Sequence, residues 1–133
     1  MPTYVVDASA AVEYLLRTPM GTHVAGLVEG AELLAPELLD AEVLAVLRGA
    51  VLRGNLESRR AAEAVEDLLN WPVERITHRC LVHGAWQHRD NVTAYDALYV
   101  AAARLFQIPL LTADGPLCRT PSLGIVVHNV RLA

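Results

Sequence analysis

Three aspartates stand where one element of the chain hands over to the next, and that placement gives them chemistry. Asp7 ends the apolar run Tyr4 to Val6, Asp96 lies three residues after Thr93 at the head of AYDALYVAAARLF, and Asp114 follows the run Ile108 to Thr112. A fourth acid comes from the segment that opens at Pro36, which offers Glu37, Asp40 and Glu42. Each has an ordinary use: Asp7 suits a helix N-cap, Asp96 pairs with Thr93 in the manner of a capping box, and Asp114-Gly115 reads as a turn. Gathered on one edge they would do something else. Hard carboxylate oxygens without nearby His or Cys fit Mg2+ or Mn2+ rather than zinc, and the chemistry that follows is metal-assisted hydrolysis at phosphorus.

Whether they gather depends on the elements that carry them. Tyr4 to Val6 reads as a buried strand running straight into a helix over Ala8 to Leu16, closed at Thr18-Pro19. A second helix follows from about Gly21 to Glu29, ending at Gly30, and ELLAP at 32–36 is a second strand, with Pro36 taken as the first position of the next helix. That helix, Pro36 to Arg53, has an apolar stripe of Leu39, Val43, Val46, Leu47 and Ala50 with Gly54 as its C-cap. Asn55 caps a partner helix reaching Asn70, with Ala62, Val65, Leu68 and Leu69 on one face, so the two form a helical hairpin arm. PVERIT at 72–77 is a third strand, His78 to His88 a weaker helix, and Arg89 to Thr93 a polar loop. Ile108 to Thr112 and Gly124 to His128 are the fourth and fifth strands, with a short helical piece after Asp114.

Strands alternating with helices predict one α/β domain over residues 1–133, with a mostly parallel sheet covered on both faces. In such sheets ligands bind at the carboxyl edge. Asp7 and Asp114 sit just beyond strand ends and reach that edge directly. The helix after Thr93 returns to the fourth strand through only Gln107, Ile108 and Pro109, so it runs antiparallel to that strand and brings Asp96 to the same edge. The helix after the second strand delivers its first two turns there as well. Asp40 and Glu42 both have apolar neighbours, and helical geometry prefers Glu42 without deciding between them.

Composition narrows the partners. No apolar run approaches the roughly 18 to 20 residues of a membrane span, and a strand beginning almost at Met1 leaves no room for a secretion signal, so a cytoplasmic protein is expected. The net charge of -4 argues against non-specific nucleic-acid binding through a basic surface, although it leaves a metal-dependent nuclease open. Every basic residue is Arg. Arg89 and Arg119, near the candidate acids, are weak candidates for phosphate contact. Cys80 and Cys118 form no CxxC pattern and are expected as buried thiols. His78, His83 and His88 turn about 140° from one to the next on a helix and share no metal-binding face, and Trp71 and Trp86 are expected in core or interface.

The blocks VVDASA, PELLDAEVLAVLR, TAYDALYVAAA and LLTAD, in this order and spanning essentially the whole chain, resemble the PIN-domain family, and within it the VapC-type toxins of toxin-antitoxin pairs. The resemblance implies a three-layer α/β/α fold with a five-stranded sheet in the order 3-2-1-4-5. It implies that Asp7, Glu42, Asp96 and Asp114 bind Mg2+ or Mn2+, selecting Glu42 over Asp40, with Ser9 lining the site and Thr93 and Thr112 supporting it. It also implies cleavage of RNA, inhibition by a VapB-type antitoxin and a homodimer. A PIN nuclease outside any toxin system, a PIN-like fold that only binds, and a phospho-acceptor signalling domain are the alternatives. The last of these normally needs a Lys at its site, and this chain has none.

Overall fold

The computed structural model describes residues 2–120 and 123–132. Five strands, β1 (Thr3–Val6), β2 (Glu32–Pro36), β3 (Val73–Ile76), β4 (Leu110–Thr112) and β5 (Val127–Asn129), form one sheet in the order β3-β2-β1-β4-β5. Every neighbouring pair is parallel. Alternate residues of a strand point to opposite faces, so each strand feeds two cores. Val6, Leu33, Ala35 and Leu111 pack under α1 (Ala8–Leu16), α2 (Pro19–Val28), α3 (Leu38–Leu52) and α4 (Ser58–Asn70). Val5, Leu34 and Leu110 pack under α6 (Ala94–Phe106) and α7 (Gly115–Cys118), with Leu81, just ahead of the short α5 (Val82–Trp86), on the same side. Three layers result, as expected.

The order of strands changes direction at β1, which has β2 on one side and β4 on the other. That is the switch point where the carboxyl edge opens into a crevice. The edge is held by main-chain bonds: Asp7 N–H donates to the Leu111 carbonyl at 3.1 Å and Glu37 N–H to Ile76 at 3.0 Å. On the α-helical face α1 and α2 approach so closely at Gly21 that an added Cβ would stand 1.9 Å from the Glu13 carbonyl oxygen. Only glycine fits that contact.

Several boundaries differ from those read off the sequence. Pro36 is the last residue of β2, paired in register with Ile76, and α3 begins at Leu38, whose N–H donates to His78 Nε2 at 3.0 Å. The α4 helix starts at Ser58 after Glu57, not after a cap at Asn55, and buries Ala61, Ala64 and Leu68 while Ala62 and Leu69 face solvent. The region His78 to His88 divides into a 3-10 turn, His78–Cys80, and α5. The last strand begins at Val127, because Gly124 turns the chain at φ +71° and Val126 is exposed. Cys80 is exposed and Cys118 half-buried, so neither is the fully buried thiol expected. No helix among the described residues is long and apolar enough to cross a membrane.

Candidate active site

Asp7 sits at the head of α1 and is 5% exposed. Its Oδ1 accepts the Ser9 hydroxyl at 2.7 Å and the Ala10 N–H at 3.1 Å, and its Oδ2 accepts the Thr112 hydroxyl. Having donated to Asp7, each hydroxyl uses a lone pair to accept a backbone N–H from the end of β4, Ser9 from Ala113 at 2.9 Å and Thr112 from Asp114 at 2.9 Å. Asp7 is thereby locked to the neighbouring strand. Of the roughly four lone-pair positions of a carboxylate, three are engaged, and the remaining one is on Oδ2.

The other three acids arrive from separate elements. Asp7, Ser9, Glu42, Ala45, Val46, Asp96, Tyr99 and Asp114 line one cleft of about 290 Å3 at the carboxyl edge. Asp96 enters from the first turn of α6, where its N–H is capped by Thr93 Oγ1 at 3.2 Å. Thr93 itself is exposed and lies outside the cleft lining. Asp114 caps α7, its Oδ1 accepting Leu117 N–H at 3.3 Å. Capping and cleft lining are thus both true of Asp7 and Asp114. Glu42 comes from α3. Asp40, two residues earlier, is turned away and held by Arg75, whose Nη2 and Nε donate to its two carboxylate oxygens at 2.8 and 3.3 Å.

The acids reinforce one another's reluctance to ionise. Burial pushes the Asp7 carboxyl up to about 6 against the hydrogen bonds from Thr112, Ser9 and Ala10, and the charge of Asp96 adds to the effect. Burial also raises Asp96, with the Asp114 charge behind it, and raises Glu42, with Asp96 contributing. Asp96 is therefore the charge that reaches both Asp7 and Glu42. Asp114 acts on Asp96, and its link to Asp7 runs through Thr112. The ion pairs within 4.0 Å among the described residues are Arg17–Asp67 and Arg75–Asp40. Neither pair involves any of the four acids of the cleft.

Tyr99 is the site residue that the sequence reading missed. Burial and the Glu42 charge push its phenol far above its ordinary range. The hydroxyl lies near enough to Glu42 to offset part of that carboxyl's upward shift, yet the two close no hydrogen bond of ordinary geometry, and the buried oxygen has no partner among the described residues. A signal was present in that Tyr99 follows Asp96 by three positions and so shares its helix face. Arg89 is turned elsewhere, with its guanidinium 5.0 Å from the Trp86 ring centroid and Nη1 donating to the Trp86 carbonyl at 3.0 Å. Trp71 is buried against Tyr14, whereas Trp86 is 64% exposed. His78 accepts the Leu38 N–H, and His88 is buried beyond the cleft.

The donor set is all hard oxygen, three of its acids are raised by burial and mutual charge, and a buried hydroxyl stands unpartnered beside them. Among the described residues no three acidic, His or Cys side chains are already drawn together tightly enough to enclose an ion. An open set of carboxylates fits Mg2+, which keeps several waters and takes only one or two carboxylates directly.

A parallel α/β sheet with an oxygen-only acidic cleft at its switch point defines a doubly wound protein whose ligand-binding edge is lined by carboxylates. The PIN domain pattern matches residues 4–123, and the chain belongs to that family. It is 41% identical over 133 residues to ribonuclease VapC1 of Mycobacterium tuberculosis, across 98% of this chain and 100% of the relative. It is 38% identical over 116 residues to ribonuclease VapC12 of the same organism, across 87% and 90%. The solved structure of VapBC2 from Rickettsia felis, bound to a DNA fragment from their promoter, shares the fold with a TM-score of 0.64 at 15% identity, covering 96% of this chain and 98% of that one.

Proposed function

We propose that this chain is a metal-dependent endoribonuclease, the toxin of a type II toxin-antitoxin pair, hydrolysing RNA phosphodiester bonds at the four-carboxylate cleft. The observation that carries the reading is the convergence of Asp7, Glu42, Asp96 and Asp114 from four elements into one cleft, none of them ion-paired among the described residues. Membership of the PIN family and the similarity to ribonucleases named VapC support RNA as the substrate. The likeness in fold to a structure titled VapBC2 is in keeping with an antitoxin as partner.

Asp7, Asp96, Glu42 and Asp114 would hold Mg2+ or Mn2+. When bound, the ion lowers the pKa of water and offsets charge on the phosphate oxygens. The chain's own work is positional. Ser9 and Thr112 fix Asp7 so that its free lone pair on Oδ2 faces one direction, and their bonds to Ala113 and Asp114 set the start of the β4–α7 turn against it. Tyr99 brings a hydroxyl able to donate to an anionic oxygen in the cleft. The exposed apolar side chains Leu44, Val46 and Leu52 on the α3 arm suit a second copy of the chain.

The test is cleavage of an RNA pool by purified protein. Cleavage is expected with Mg2+ or Mn2+, abolished by EDTA, and reduced on the order of a hundredfold or more in Asp7→Asn and Asp96→Asn. Cutting that persists in EDTA and in both variants would sink the proposal.

A further inference from the structure

We infer that Arg131, together with Arg119, forms the phosphate-gripping margin of the site, holding the sugar-phosphate chain of RNA on the Asp114 side of the cleft. This deepens the ribonuclease reading and rests on it. Register supplies the first observation. β4 pairs with β5 so that Thr112 faces Asn129, and Asp114 lies two residues beyond the one as Arg131 lies two beyond the other. Arg131 lies in the 3-10 turn Val130–Leu132 that follows β5, so both residues come off the carboxyl ends of adjacent parallel strands.

Arg131 is tied to that position. Its Nε donates to the Ala113 carbonyl at 2.5 Å, and its backbone N–H donates to the Asn129 side chain at 2.9 Å. Arg119 folds back over α7 so that Nη1 stands 2.9 Å from where a Cβ on Gly115 would be. One guanidinium thus lies against the residue before Asp114 and the other against the residue after it. Both are exposed, and neither is ion-paired among the described residues.

Two cations placed beside a carboxylate site but not spent on it keep their charge for an anion from solution. Neither lines the cleft, so each suits phosphates flanking the one at the acids. Guanidinium groups fork onto phosphate oxygens, and contacts of this kind set the position of the nucleic acid without reading its sequence. On a chain of net charge -4, such a local pair supplies what the overall charge does not.

Steady-state RNA cleavage by Arg131→Ala, Arg119→Ala and Arg131→Lys in Mn2+ across a series of NaCl concentrations tests this, with Mn2+ binding followed by calorimetry. Each Ala variant is expected to raise KM about tenfold with kcat nearly unchanged, to lose affinity evenly across RNA sequences, and to flatten the log–log salt dependence of kcat/KM by about 0.7. Arg131→Lys should regain the salt slope and part of the affinity, and Mn2+ affinity should hold in all three. An unchanged KM and salt slope in both Ala variants overturns the inference, as does loss of kcat or Mn2+ affinity, which would make these arginines supports of the turn. Those results leave the ribonuclease reading standing if the wild-type protein still cuts. A wild-type protein that cuts no RNA in Mn2+ brings down that reading and this inference with it.

Discussion

Asp7 combines near-complete burial with a pKa raised to about 6, and the sign of the consequence follows from linkage. An unfolded chain releases this proton near the ordinary value of 3.8. Between there and about 6 the folded protein keeps a proton that the unfolded chain has lost, so stability is full below the lower value and falls as pH rises through the higher. The loss is about 2 to 3 kcal/mol, and the upward shifts of Glu42 and Asp96 act in the same direction. In EDTA, Asp7→Asn should match the wild type in urea denaturation near pH 4 and exceed its stability at pH 7.5 by about 1 to 2 kcal/mol. A variant less stable at pH 7.5 would show that Asp7 does not carry this burden. The aspartates were legible because each stands at a junction whose place follows from chain direction. Glu42 against Asp40 was not, since both have apolar helical neighbours and the deciding partner, Arg75, is 35 residues from Asp40. The empty side of Tyr99 was equally invisible, because it depends on what fails to reach a hydroxyl.

At the level of elements, the arm divides the two acids of α3 into different tasks. Arg75 joins Asp40 to the carbonyls of Leu68, Trp71 and Val73, at 3.2, 3.2 and 2.7 Å, and so ties α3 to the end of α4 and to β3. Removing the guanidinium strands several partners at once. Arg75→Ala is expected to lower unfolding free energy by about 2 to 4 kcal/mol. Asp40→Asn should cost less and leave RNA cleavage intact, whereas Glu42→Gln should remove cleavage and leave stability equal or higher. Denaturant midpoints beside initial cleavage rates check the contrast, and the reverse assignment would follow if Asp40→Asn were the inactive one. The elements were readable from apolar period and turn residues, while their ends were not. α4 packs through Ala61, Ala64 and Leu68, so the stripe expected from Ala62, Val65, Leu68 and Leu69 was right at Leu68 and set one position round the helix elsewhere. Its start at Ser58 has no side-chain cap to announce it. Pro36 sits at the last position of β2 because the next N–H, that of Glu37, already makes the bond to β3.

For the molecule as a whole, four carboxylates at one edge with no ion pair among the described residues predict that a divalent cation stabilises the fold. Binding to the folded state alone stabilises it by about 2.7 kcal/mol at a hundred times Kd, a rise in Tm of roughly 10 °C for a chain of this size. Thermal unfolding in EDTA and then in Mn2+ or Mg2+ should show that rise, and Asp7→Asn combined with Asp96→Asn should lose most of it. A Tm that ignores the metal would separate this cleft from cation binding. The architecture itself, sheet order included, followed from the alternation of strands and helices together with the family resemblance. The five-membered order needed that resemblance, since periodicity alone fixes which strands exist and not which of them are neighbours.

The central place of β1 bears on how the protein is made. β1 has its two neighbours at residues 32–36 and 110–112, so one flank of β1 stays bare until the chain has been made as far as Thr112. Until Thr112 has emerged, nothing fills the second oxygen of Asp7, and until Asp114 follows, one of the four acids is absent. A nascent or prematurely ended chain therefore carries Asp7, Glu42 and even Asp96 without a finished cleft. Assembly of the cleft thus waits until synthesis has passed Asp114, the last of its acids in the chain.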